Sequence, residues 1–299
     1  MHRLFQGIGT VFVIIVIAFI LARLSGNPVD VFLGIEGTPE QRQELIQHWG
    51  LDRPYPEQFA TYLSNVVRGD LGSSYRFSRP NLEVYLERLP ITLYLVAVSL
   101  ALSLVISIPL GVLAAVRKGS WGDTLIGIFA PIGMAAPHFW VGLLLIFFFS
   151  VVLGVLPAGR ADNPLSIILP AITLGFGQVA GTTRLLRSSM LETLDNEFVK
   201  LARAKGAGEM RVILVHVLRN SILSVVSFTG MSLAIMLGGA VVVETVFTWP
   251  GVGRLTYIAL QSRDYPLIQA LFLLQGTLVV VISLVVDIVY AYIDPRIRY

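Results

Sequence analysis

The sequence predicts an all-α integral membrane protein with six spanning helices and a small external domain after the first. Three observations carry this. The 299 residues are 55% hydrophobic and 14% charged, against roughly 25% charged in an ordinary soluble domain. Apolar stretches of about 20 residues recur, the length a helix needs to cross about 30 Å of hydrocarbon. The short connections between those stretches sort by charge, as the two sides of a membrane require.

The first span is expected at 4–24, LFQGIGTVFVIIVIAFILARL. A cleaved signal peptide is the competing reading, because Arg3 precedes an apolar run. The run is long and no clear small-residue cleavage site follows it, so a retained helix is expected. Residues 25–90 are polar, rich in Pro and Gly and mixed with aromatics, and are read as an external cap. Trp49, Tyr55, Phe59, Tyr62, Tyr75 and Phe77 are either partner contacts or the core of that small domain.

Five further spans are expected at roughly 91–116, 124–150, 166–186, 222–246 and 267–292. Pro109 predicts a mild kink in the second span. Pro131 and Pro137 in IFAPIGMAAPHFW predict a broken third span, since proline removes a backbone donor and broken helices survive at membrane depth only where protein or a cavity surrounds them. Gly177 and Gly181 form a GxxxG, and Gly230, Ala234 and Gly238 repeat every four residues, both spacings that let helices approach closely in lipid.

Orientation follows from charge. With the N-terminus inside, the inner segments hold 12 of the 22 basic residues, from Arg3 through Arg117, Lys118 and Arg187 to Arg296 and Arg298. They hold only six of the 19 acids. Both termini are therefore expected in the cytoplasm, with 293–299 as a short cytoplasmic tail, while the long segment 25–90 counts little in this rule.

Several chemistries are excluded. There is no cysteine, hence no disulfide, thiol catalysis or Cys-based zinc site. There is no G-x-x-x-x-G-K-[ST], no H-E-x-x-H and no G-x-S-x-G, so neither a nucleotide-binding P-loop nor a catalytic motif is present. His2, His48, His138 and His216 lack metal-ligand spacing, and no metal site or catalytic residue is expected. The net charge of +3 reports topology rather than a nucleic-acid partner. Polar groups inside spans are costly and invite a pathway role. The candidates are His138, Gln178, Gln275 and Asp287, the last in LVVDIVYAY. The alternative for His138 is a packed polar side chain near the kink. For Asp287, close to the charged C-terminus, it is a structural ion pair or a helix-end role.

The inner loop, 187–221, is the largest inner element. Leu191, Leu194, Phe198 and Leu201 recur at i, i+3, i+7 and i+10, one apolar stripe at helical spacing. Asp195 or Asn196 is placed to cap a helix over about 197–205, and Gly206 to end it in the left-handed conformation. A second basic helix, EMRVILVHVLRN, is expected to lead back to the membrane. From the residues alone the short helix is an interfacial helix on anionic lipid, a packed linker, or an amphipathic helix docked in a groove on another protein.

ARAKG followed by HVLRN resembles the inner-loop motif of binding-protein-dependent ABC importer permeases, dipeptide/oligopeptide/nickel branch. GNPVD, WGLDRPYPEQF, GDLGSSYRFSRP, RLPITL, IPLGVLAAVRKGSWGD, APHFW, LPAGR, RSSMLETL, VVVETVFTWPGVGRL, RDYPLIQA and VVDIVYAYIDPRIRY resemble the branch's strings in order across nearly the whole chain. The resemblance implies a type I ABC importer permease: a cap at 25–90, a five-helix core at 91–292, and a bacterial inner-membrane location. It implies a second homologous permease, two cytoplasmic ATPase subunits that bind ATP and Mg²⁺, an external substrate-binding protein, and no cofactor in this chain. The loop helix becomes a coupling helix in which Glu197 to Gly206 enter a cleft on the ATPase. Phe198 and Leu201 become its apolar anchors, Lys200, Arg203 and Lys205 its polar contacts, with Ala202 and Ala204 between them.

One departure stands out. The broader superfamily pattern is E-A-A, three residues, G, nine residues, I-x-L-P. Aligned on Gly206, it meets Lys200, Leu201 and Ala202, then His216, Leu218 and Arg219, so a role for the generic glutamate does not transfer. The implied cargo is peptide, with glutathione, nickel chelates or oligosaccharides as branch alternatives. An ion-coupled secondary transporter using Asp287 is the reading from another class.

Overall fold

The computed structural model describes residues 2–24, 26–34 and 37–293. The expected cytoplasmic tail, with Asp294, Arg296 and Arg298, lies outside the described residues, as does the Arg3 side chain. Among the described residues the chain is helical, apart from turns, loops and an isolated bridge between Ser73 and Pro80.

In chain order the helices are α1 (His2–Leu24), α2 (Pro28–Leu33), α3 (Pro39–His48), α4 (Tyr55–Val67), α5 (Asn81–Val116), α6 (Trp121–Ala135), α7 (His138–Val152), α8 (Ile168–Leu194), α9 (Glu197–Ala204), α10 (Glu209–Val246), α11 (Val252–Gln261) and α12 (Tyr265–Ile293). Five of them, α1, α5, α8, α10 and α12, are long and apolar enough to cross a membrane. The expected broken third span is α6 and α7, which meet at a 108° bend. Ala136 leaves the helical region there, with ψ 124°, as a residue before proline is pushed to do.

Two boundaries differ from expectation. α5 starts at Asn81 rather than near 91, because its polar first turns still bury Val84 and Tyr85. The helix continues through Pro109, where a mild kink is expected. Its neighbour α8 supports it there, with the Leu186 side chain packed against Gly111. The basic helix and the fifth span are one continuous helix, α10, wound as a π-helix over Val212–Leu218. No glycine or proline interrupts its first turns, so nothing stops the helix there.

The chain divides into two compact units, residues 1–92 with 250–281, and residues 93–249 with 282–299. In the first, α5, α11 and α12 share a core of Val84, Tyr85, Leu255, Leu267, Ile268 and Leu271, against which Phe77 packs. Asp264 is buried and fastens the loop before α5 to the start of α12. It accepts from the Ser74 hydroxyl at 2.5 Å, the Arg76 amide at 3.1 Å and the Leu267 amide at 3.3 Å. Most of the cap aromatics are packing groups. Trp49 stacks on Tyr75 with centroids 3.8 Å apart, and Phe59 meets Phe19 edge-on at 5.1 Å. Tyr55 is exposed.

In the second unit, glycines set the helix spacing. A Cβ on Gly181 of the GxxxG would stand 2.8 Å from the Phe228 ring, and one on Gly230 would stand 2.2 Å from Val286. Gly238 has open space around it, so the fifth-span repeat is used at one end only. Arg187 of α8 grips Asp123 of α6 in a two-pronged ion pair, whose outer prong runs from Nη2 to Oδ2 at 2.8 Å. The Gly119 amide donates to the same carboxylate at 2.9 Å.

Candidate functional site

α9 is built to be held on one side and open on the other. Val199 is fully buried in a cluster with Leu186, Met190, Val212, Val217 and Val225, and Ala202 packs against the same cluster. Phe198 and Leu201, one residue earlier in each case, are 43% and 55% exposed. Two apolar i, i+3 pairs therefore lie on adjacent faces, one filled by this chain and one unfilled.

The expected single stripe does not form. The chain breaks at Asp195 and Asn196, so Leu191 and Leu194 end α8 and pack inward, while Phe198 and Leu201 are re-aimed outward. Neither Asp195 nor Asn196 caps α9 through its side chain: Asp195 closes α8, and Asn196 makes no side-chain cap bond. The Asn196 carbonyl instead accepts from the Val199 and Lys200 amides at 3.1 and 3.3 Å. Buried Val199 holds the first turn in place, contributing about 2 kcal/mol by removal of its side chain from water.

The end of α9 follows expectation. Gly206 has φ +81°. Its amide donates to the Arg203 carbonyl at 2.9 Å, and the Ala207 amide donates to the Ala202 carbonyl at 3.1 Å, the paired bonds of a Schellman cap.

The charges are arranged locally. Lys200 Nζ donates to Glu197 Oε1 at 2.9 Å. Arg203 binds Glu209 through both carboxylate oxygens, at 2.8 and 3.2 Å, bracing the turn at Gly206. That carboxylate raises the Arg203 guanidinium above its ordinary value, so its charge is permanent. Lys205 makes no ion pair among the described residues and is exposed, as is Ala204. Physically this is an amphipathic element fixed to α8 and α10, with two large apolar side chains and a cation left exposed on its open side.

The pathway candidates are engaged in their own surroundings. Gln178 is buried and donates to the Thr182 hydroxyl at 3.1 Å. The Tyr85 hydroxyl donates to Gln275 Oε1 at 3.4 Å. His138 starts α7 and lies against Gly239 of α10, and Asp287 is half-buried on α12 with an interaction of its own. No group of three or more His, Asp or Glu side chains able to hold a metal ion occurs among the described residues.

Two structural ties have no clear signal in the sequence. Val199 was hidden between more conspicuous neighbours, although its i, i+3 partner Ala202 gave a faint signal. The Asp123–Arg187 pair joins residues 64 apart, and no local pattern announces it.

Comparison with known proteins agrees with this architecture. Residues 107–299 match a family model described as binding-protein-dependent transport system inner membrane component. The chain is 41% identical over 298 residues to the oligopeptide transport system permease protein AppB of Bacillus subtilis, covering 96% of this chain and 94% of that one. It is 37% identical over 312 residues to a putative peptide permease protein of Brucella ovis, covering 100% and 98%. It is 40% identical over 298 residues to the glutathione transport system permease protein GsiC of Escherichia coli, covering 99% and 97%. Among solved structures, the inward-facing MetNI methionine ABC transporter superposes with a TM-score of 0.60 at 20% identity, covering 71% of this chain and 96% of that chain. At that identity the likeness is one of fold.

Proposed function

The chain belongs to the binding-protein-dependent transport system inner membrane components, and from that premise we propose that it carries peptides across the bacterial inner membrane as one of two permeases in an ATP-driven importer. It is a multi-pass permease subunit of an ABC importer. That membership sets aside the ion-coupled transporter working alone. The cargo reading is supported by the peptide and oligopeptide permeases among its relatives, with glutathione, itself a peptide, as the nearest alternative.

One observation carries the coupling mechanism: Val199 is buried by this chain while Phe198 and Leu201 are left open beside it. In the proposed mechanism, Glu197 to Gly206 sit in a cleft on a cytoplasmic ATPase, and Phe198 and Leu201 fill it. ATP and Mg²⁺ bind the ATPase pair, whose closure moves α9. Because Val199 ties α9 to α8 and α10, that motion is delivered to the spanning helices rather than absorbed by a loose loop. Access then switches from inside to outside, an external binding protein delivers cargo, and hydrolysis resets the cycle. This chain holds no catalytic group in the scheme, and both of its termini are cytoplasmic. Lys200, paired with Glu197, stands where the wider superfamily has glutamate, so its contact to the ATPase is through a cation.

The test is reconstitution in proteoliposomes with the neighbouring permease, ATPases and binding protein. ATP-dependent uptake of labelled di- and tripeptides is expected. Uptake of nickel chelate or oligosaccharide with no peptide uptake overturns the cargo. Uptake driven by an ion gradient without the ATPases overturns the mechanism.

A further inference from the structure

Buried polar atoms in proteins nearly always have a partner, so orphans point to something missing. Seven such side-chain atoms occur among the described residues, and three of them, Arg23 Nη1, Tyr62 Oη and Gln269 Nε2, belong to residues that line one cavity. The cavity measures about 210 Å³ and lies wholly within the unit formed by residues 1–92 and 250–281. The three atoms come from α1, α4 and α12, so no single helix produces the coincidence.

Arg23 is held for this position. Its Nε and Nη2 donate to Gln58 Oε1 at 3.3 and 2.9 Å. The Gln58 amide nitrogen is fixed in turn, donating to the Leu51 and Arg53 carbonyls at 3.3 and 2.8 Å. The guanidinium lies over the Phe19 ring, 3.9 Å from its centroid. This leaves Nη1 free of the grip. No carboxylate pairs with Arg23 among the described residues, and its titratable neighbours are the phenols of Tyr265, Tyr75, Tyr55 and Tyr62. Arg53 also lines the cavity. Asp70 lines it too, but it is exposed and already accepts from the Gly72 amide at 2.8 Å. A half-buried guanidinium with one sealed nitrogen and no counter-charge is costly to keep.

We propose that this cavity is a binding site for a small carboxylate of amino-acid size, the carboxylate taking Arg23, Tyr62 and Gln269 as its three donors. A carboxylate offers about four lone-pair positions on two oxygens, enough for all three unpartnered donors, whereas a cation would be repelled by Arg23. Tyr62 stays a donor throughout the physiological range, because burial pushes its hydroxyl up to about 12. The volume falls below the roughly 300 Å³ at which drug-sized pockets begin, so the occupant is a free amino acid or the last residue of a peptide. The stacked Trp49 and Tyr75 rings form an apolar wall for its side chain. The site stands on its own geometry, and only the choice of peptide probes rests on the proposed cargo.

The experiment is isothermal titration of the purified chain in uncharged detergent with alanine and Ala-Ala, against alaninamide and Ala-Ala amide. Saturable binding of the free acids and none of the amides is expected. Binding of Ala-Ala without alanine identifies a peptide end as the occupant, and binding of both identifies a free amino acid as sufficient. Tyr62→Phe, which keeps the ring, should weaken binding about fivefold, the size of one hydrogen bond. Arg23→Gln should abolish it, and circular dichroism checks that each variant is folded. Equal binding of acids and amides, no binding at all, or unchanged affinity in folded Tyr62→Phe overturns the site. Peptide uptake by the assembled importer alongside any of these results overturns the site alone and leaves the cargo reading standing.

Discussion

Val199 and Phe198 are adjacent in α9 and meet opposite surroundings: the first is fully buried among side chains of α8 and α10, and the second is 43% exposed. The two substitutions should therefore fail in different ways. Val199→Ala removes buried surface and leaves a void, costing about 2 kcal/mol of stability. Its thermal midpoint in detergent should drop. Phe198→Ala and Leu201→Ala remove exposed surface and should leave that midpoint within error. They should instead weaken co-purification with the ATPase subunits and lower cargo-stimulated ATP hydrolysis. Unchanged coupling in both exposed-site variants would show that this face touches no partner.

The contrast also shows what the sequence makes legible. The spanning helices are readable because crossing a bilayer demands one long apolar run, a condition local to each segment. The break at Ala136 and Pro137 is readable because proline acts on its immediate neighbours. The orientation of Phe198 is not, because the stripe that includes it continues smoothly from Leu191 and Leu194 until Asp195 and Asn196 break the helix. The start of α5 at Asn81 is likewise hidden, since Glu83, Glu87 and Arg88 read as loop until Val84 and Tyr85 find a core made with α11 and α12. The surroundings of Arg23 depend on Gln58, Tyr62 and Gln269, which folding alone brings together.

The Asp123–Arg187 pair is a two-pronged polar tie between α6 and α8. The Asp123 side chain is 6% exposed and that of Arg187 is 30% exposed. Breaking it from either side should cost about 2 kcal/mol, between the values for surface pairs and fully buried ones. Asp123→Asn also weakens the acceptor for the Gly119 amide and should be the worse of the two. The measurement is thermal unfolding of the single variants, with the charge-reversed double variant as the control. A double variant no more stable than either single would show that the ion pair carries little of the coupling.

Tyr62 gives a prediction in pH. Its hydroxyl is raised to about 12 by burial, against about 10 for a free tyrosine, so the folded chain favours the protonated phenol. The stability this contributes is complete below about pH 10 and is lost as pH rises towards 12. Ultraviolet titration should show equal phenolate formation near pH 10 in wild type and Tyr62→Phe, with the wild type's extra tyrosine ionising only towards pH 12. A wild-type curve in which Tyr62 ionises near 10 would mean that its hydroxyl is hydrated in solution.

Gly206 isolates the backbone term at the end of α9. Its φ of +81° is unfavourable for any side chain, yet a Cβ there would meet nothing within 4 Å. Substitution therefore tests conformation without crowding. Gly206→Ala should cost about 1 kcal/mol, since an L residue in the left-handed region is penalised by about that much. Gly206→Val, branched at Cβ, should cost more, and Gly206→Asn less, because asparagine visits this region readily. The same order should appear in coupling. If the Schellman bonds to Ala202 and Arg203 strain, the last turn of α9 loosens, and Arg203 loses the register that sets both of its nitrogens on Glu209. Thermal midpoints and cargo-stimulated ATP hydrolysis should thus fall together in the order Asn, Ala, Val. An order that follows side-chain size instead, with Asn falling below Ala in either readout, would place the effect in a partner's cleft rather than in the turn.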